Sequence, residues 1–148
     1  MEISLQISKE TVFDEVLKTS SYTGAKINED DAFERIPATD ENRDILERFW
    51  QESKNTVCTN IKRVLHDENE ENDLWKLTLS VSNAFDTNLT ATISNSLFSF
   101  FVMNITGKWF MIANKEEAKE YNAQAEIHLD DTLRKIFFKK KPIRPQNN

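Results

Sequence analysis

Residues Leu97–Ala113 read LFSFFVMNITGKWFMIA, the most apolar segment of the chain. Whether it crosses a membrane, fills a core or faces a partner decides the fold. A membrane span needs about 20 consecutive apolar residues. This run is shorter, and Ser99, Asn104, Thr106, Gly107 and Lys108 interrupt it. It reads as a core helix with part of its surface left for a partner. Upstream, Asp86 or Thr87 is placed to cap that helix, and Leu89, Ile93, Leu97, Phe100 or Phe101, and Ile105 fall on one stripe. Phe98, Val102 and Trp109 widen the stripe to most of the circumference, so the helix is central or lies at an interface. Gly107 marks a kink, a terminus or a close crossing.

Outward from this helix, composition narrows the choices. The chain has 148 residues, 39% hydrophobic and 30% charged, with Gly 2 and Pro 3. That is one domain of ordinary size with few glycine-dependent turns, which favours long helices over a many-stranded sheet. Ile3, Leu5 and Ile7 alternate with polar neighbours, as do Trp75, Leu77, Leu79 and Val81, so residues 2–7 and 74–81 are predicted to pair as strands. Ser8 caps a first helix with Val12, Phe13, Val16 and Leu17 on one face, ended at SSYTG by Gly24. A connector holding Pro37 leads to the longest helix, from Thr39 or Asp40 to about Leu65. The acidic run HDENEEND follows as a solvated loop. KEEAKEY opens a last helix with Ala118, Tyr121, Ala125, Leu129, Leu133 and Ile136 on its core face. The expectation is an α+β domain, mainly α: about four helices with a minor two-stranded sheet over residues 1–138, then a basic C-terminal tail, 139–148.

The search for chemistry finds no phosphate-binding loop, dinucleotide fingerprint or zinc-protease motif. The lone Cys58 forms no internal disulfide and reads as a packing residue. Glu126, His128, Asp130 and Asp131 share helical spacing that suits a metal face, but no second histidine or cysteine accompanies them, and a solvated acidic face is the preferred reading. Asn28–Asp31 (NEDD) lacks the glycine and the alternate oxygens of a calcium loop. No cofactor and no small-molecule substrate are implied. Phe 10 and Trp 3 are many for this length, and aromatics are enriched at interface centres. Phe98, Phe101, Trp109, Phe110, Phe137 and Phe138 are therefore candidates to face a neighbouring subunit. Lys139, Lys140, Lys141 and Arg144 gather base on an acidic chain of net charge -6. They are candidate contacts for an acidic partner, either the acidic loop of another copy or nucleic acid. Nucleic acid is disfavoured by the overall acidity and by the lack of a helix-turn-helix signature. MEISLQISKE lacks a basic region followed by an apolar one, which points to the cytoplasm, or to a virion if the chain is phage-encoded.

EVLKTSSYTGAKI, ERFWQES, LTLSVSNAFD, SLFSFFVMNITGKWFMIANKEEAKEY and KKKPIRP together cover most of the chain. They resemble a family of uncharacterised small proteins of gut Bacteroides-type bacteria and their prophages. The size and helix pattern also look like the helical head–tail connector, or neck, proteins of tailed phages. That likeness implies a non-enzymatic structural subunit that self-associates or joins other virion proteins, with no catalytic residues. The alternatives are a small regulator binding nucleic acid through the basic tail, or a metal-assisted enzyme using Glu126–Asp131.

Overall fold

The computed structural model describes residues 1–26 and 38–142. The NEDD connector, Pro37 and Arg144 lie outside the described residues. Strand β1 (Glu2–Ser8) passes without a loop into helix α1 (Lys9–Lys26). Helix α2 (Arg43–Ile61) follows a single 3-10 turn at Asp40–Asn42. Next come β2 (Leu65–Glu71) and β3 (Leu74–Ser80), then a 3-10 turn at Thr87–Leu89, α3 (Thr90–Ala113) and α4 (Lys115–Ile136). The fold is α+β, mainly α: a helical layer on one face of a small antiparallel sheet ordered β1-β3-β2.

The alternation in residues 2–7 and 74–81 places these strands together as expected, with Ile3 opposite Leu79, Leu5 opposite Leu77 and Ile7 opposite Trp75. All six side chains are buried. Strand β1 lies far from β3 in sequence, so burial of these pairs ties the start of the chain to its middle.

Three expectations need correction. The sheet has three strands, because HDENEEND is not a loop: Leu65–Glu71 pairs with β3 along its length, with a register shift between Leu65 and Asp67. Asn72 and Asp73 form the two-residue turn, with φ of 54° and 61°, the left-handed pair of a tight hairpin turn whose twist matches the strands. The long helix stops at Ile61, four residues early, because Val64 N–H closes a turn on the Ile61 carbonyl and Leu65 enters the sheet. Helix α1 runs through SSYTG and Gly24 to Lys26. Its serines do not break it, since the Ser20 and Ser21 hydroxyls donate back to the Leu17 carbonyl within the helix.

Helix α3 is the centre of the molecule. Ile93, Leu97, Phe100, Phe101, Val102, Ile105, Trp109 and Phe110 are all buried. Among the described residues, the helical stretch Thr87–Ala113 is long and apolar enough to cross a membrane, and 56% of its apolar window is buried inside the molecule. Phe101 meets Trp50 at 4.7 Å and Trp75 at 5.5 Å between ring centroids, joining α3 to α2 and to the sheet. The Asp86 carboxylate accepts from Asn88 N–H at 3.1 Å and caps the 3-10 turn that leads into α3. Asn114 alone separates α3 from α4, and its side-chain oxygen accepts from Glu116 N–H at 3.2 Å. The two helices then run back along each other. Of the three readings of Gly107, the close crossing is the one found: a Cβ there would stand 2.2 Å from Asn122 Oδ1 and 3.3 Å from the Asn122 backbone nitrogen.

Candidate functional site

The sequence places its chemistry-bearing residues in two groups, and the fold treats them differently. Of the six aromatic candidates for an interface, Phe101 and Phe110 are 0% exposed. Phe101 is locked between Trp50 and Trp75, and Phe110 stacks on Tyr121 at 5.3 Å. Trp109 is also buried. These three belong to the molecule's own hydrophobic core. Phe98 is half-buried against the core, as is Phe137, whose ring lies 4.5 Å beneath the Arg63 guanidinium. Phe138 alone is open, at 50% exposure.

Phe138 sits two residues past the end of α4. Its N–H donates to the Lys135 carbonyl, while Phe137 N–H donates to Leu133. The chain then extends and lies back against the lead-in to α3. Lys139 forms a β-bridge with Phe85, and Lys140 N–H donates to the Ala84 carbonyl at 2.8 Å. The Lys140 ammonium stands 3.5 Å from the Asp86 carboxylate. Residues 139 and 140 are docked by two backbone contacts, and Lys141 and Pro142 beyond them are exposed.

This docking builds a groove of about 300 Å³ lined by Asp86, Leu89, Arg134, Lys135 and Phe138. Leu89 and Phe138 supply its apolar floor, and the aliphatic stems of Arg134 and Lys135 extend it, as long cationic side chains do. A second recess of about 200 Å³ adjoins it, with Arg63, Val64, Phe137, Phe138 and Lys139 in its wall. The cations around this end are held rather than loose. Arg134 pairs with Asp130 at 2.9 Å, and Lys135 pairs with Asp131 at 2.7 Å while donating to Ser96 Oγ. The Lys135 and Ser96 hydrogen bonds hold the Asp131 carboxyl below the usual carboxylate range.

The four residues of the metal-face spacing, Glu126, His128, Asp130 and Asp131, lie along α4. Asp130 and Asp131 are engaged by Arg134 and Lys135, and among the described residues no group of three or more His, Cys, Asp or Glu stands close enough to hold a metal ion. Cys58 is half-buried, and burial pushes its thiol pKa up, away from a reactive thiolate.

The acid of HDENEEND is organised too, in a way the sequence did not disclose. Glu68 and Glu70 lie opposite Leu77 and Trp75, on the inward-facing side of the sheet. The Trp75 indole N–H donates to Glu68 at 2.7 Å, and the Trp50 indole N–H donates to Glu70, which also pairs with Lys54 at 3.4 Å. Asp67, Asn69 and Glu71 face the other way, onto the uncovered side. At the strand's far end Asp73 pairs with the buried Lys9 at 3.1 Å, and Lys9 also pairs with Glu47 at 3.1 Å.

The molecule thus carries two charged poles. Val64, beside Phe137 and Phe138, immediately precedes β2. The strand then leads away for seven residues, about 20 Å at strand rise, to the acidic turn. One end holds Arg134 and Lys135 at the apolar groove, Lys139 in the adjoining recess and Lys140 against Asp86; the other holds Glu71 with Glu70 and Asp73, which pair with Lys54 and Lys9. No protein-family model, no curated protein and no solved structure matches the chain.

Proposed function

We propose that the chain is a non-enzymatic assembly subunit, of the kind that forms the neck, head–tail connector or tail-completion region of a phage particle. The observation that carries this reading is the groove of Leu89 and Phe138 with its cationic rim, set about one strand length from an acidic hairpin on the same chain. A half-exposed phenylalanine in an apolar recess is the chemistry of an interface anchor. Opposite charge at the two ends favours head-to-tail contact with a neighbouring copy or an acidic particle protein and sets its orientation. The placement of the paired ionisable groups supports the same reading. Lys9, Glu10, Arg43 and Asp131 are each tied into ion pairs and line neither recess. The general layout, with a few helices per subunit, is the one the connector resemblance implies.

Sedimentation velocity on the full chain at low and high salt tests the proposal. Oligomers that shrink with salt, and shrink at either salt in Phe138→Ser, are expected. Sedimentation unchanged by salt and by Phe138→Ser would reject the groove as an assembly contact. Salt-dependent binding of duplex DNA, lost on removing residues 141–148, would instead favour the nucleic-acid reading.

A further inference from the structure

Strand β1 is an edge strand with one side of its backbone unused. Met1 and Val81 exchange two hydrogen bonds, at 2.9 and 2.8 Å, and Lys9 N–H donates to Asp73 at 2.9 Å. In an antiparallel ladder, bonded residues recur at every second position. Ile3, Leu5 and Ile7 therefore bond β3, and the N–H and C=O groups of Glu2, Ser4 and Gln6 point away from it. Among the described residues nothing bonds these backbone groups.

The opposite edge is protected. Strand β2 carries Asp67, Glu68, Glu70 and Glu71, two of them turned inward, and its register shifts at His66. Inward-pointing charge and an irregular ladder are the means by which sheets block strand addition. Strand β1, EISLQIS, has a single charge at its start, no proline and no register shift.

We propose that β1 pairs antiparallel with β1 of a second copy of this chain, joining two sheets into one of six strands. The register follows from the sequence. With Leu5 on the two-fold axis, Ser4 faces Gln6, Ile3 faces Ile7 and Glu2 faces Ser8. Each even-numbered residue then meets an even-numbered one, so the outward backbone groups satisfy each other. Inward apolar residues meet inward apolar residues, so both faces keep their character. No like charges stand opposite, whereas β2 against β2 would face acid with acid. A parallel pairing would set Glu2 beside Glu2. The contact uses no groove residue, so it goes beyond the assembly proposal and stands or falls separately.

Proline at Ser4 and Gln6 removes only the outward N–H groups and leaves the ladder to β3 intact. At high salt, which loosens the charged groove contact, the wild-type chain is expected to sediment as a dimer, with Ser4 and Gln6 amides protected from exchange in concentrated samples and released on dilution. Ser4→Pro/Gln6→Pro should weaken dimerisation about ten-fold or more, and protection of Ile3, Leu5 and Ile7 amides reports whether its monomer is folded. Should proline unfold it, a charge pair decides: Ser4→Lys/Gln6→Lys should abolish the dimer and Ser4→Lys/Gln6→Glu should restore it. Any of three results overturns the pairing: a wild-type chain that is monomeric at its highest soluble concentration, Ser4 and Gln6 amides equally protected in the monomer, or dimers indifferent to both charge variants. Phe138→Ser should leave this dimer in place, which separates failure of the β1 contact from failure of the groove.

Discussion

Strands β1 and β2 flank the same central strand and have the same length, yet they are held to it by different physics. Strand β1 presents Ile3, Leu5 and Ile7 to Leu79, Leu77 and Trp75, and all are buried under the helices. Strand β2 has Leu65 as its one apolar residue, and the other six are exposed. Its inward positions carry Glu68 and Glu70, whose attractions are indole N–H groups and the Lys54 ammonium. One strand is fixed by transfer of apolar surface from water, the other by backbone bonds and charge-assisted hydrogen bonds. The first kind of attachment makes a strand a structural root. The second lets a strand close the sheet while keeping an acidic, strand-repelling edge.

The difference sets an order of mutational cost. Leu5 is 2% exposed in the apolar layer between β3 and α3. Leu5→Ala should cost about 2–5 kcal/mol, the range for a buried leucine whose cavity only partly collapses, read as a shift in the urea midpoint. On β2 the comparable position is Glu70. Glu70→Ala leaves the Trp50 indole N–H, in a residue 1% exposed, without its acceptor and Lys54 without its partner. A cost of about 1–3 kcal/mol is expected for the orphaned donor. Glu70→Gln keeps an acceptor for the indole and should recover most of that loss. A Glu70→Ala cost equal to that of Leu5→Ala would erase the distinction between the two strands.

The same contrast explains what the sequence showed and what it hid. Period-two alternation marks a half-buried strand because burial selects apolar residues on one face, so β1 and β3 were legible to within one residue at each end. Strand β2 has no such selection, and acids are poor strand formers. Its evidence lay in Asn72-Asp73, two residues that tolerate positive φ, immediately before an alternating run. The core face of α3 was legible from spacing, with Ile93, Leu97, Phe100, Phe101 and Ile105 all buried. How much of its aromatic surface a partner could use was not, because three of the six candidates turn out to be core. Phe138 was recognisable as an aromatic near a basic run, but the groove beside it needs Asp86 and Leu89, about fifty residues earlier. They join it through the Phe85–Lys139 bridge, the Lys140 N–H bond to Ala84 and the Lys140–Asp86 ion pair.

Lys9 is where the two strands meet, and it carries the smallest predicted effect. It directly follows β1, and its ammonium reaches Asp73 in the β2–β3 turn and Glu47 on α2. Burial alone would push its pKa down; hydrogen bonds to Asp73 and Glu47 and the charges of Glu47 and Glu70 outweigh burial and hold it above the ordinary 10.5. A group whose pKa is raised on folding contributes stability that is fully present below its unfolded value and is lost as pH rises through its folded value. The stability advantage of wild type over Lys9→Met should therefore be constant through neutral pH and decline above about 10.5, the ordinary lysine value. Subtracting the variant removes the tyrosines and other lysines that titrate in the same window. The partner carboxylates, Asp73 and Glu47, are 49% and 39% exposed as side chains, so solvent screens the pairs and the advantage should stay near or below about 1 kcal/mol. Urea midpoints for both proteins from pH 7 to beyond the lysine range, at low and at high salt, provide the measurement. An advantage that grows with pH would mean that folding lowers the Lys9 pKa, so that burial outweighs the pairs to Asp73 and Glu47 and the ionic link between the two strands is lost.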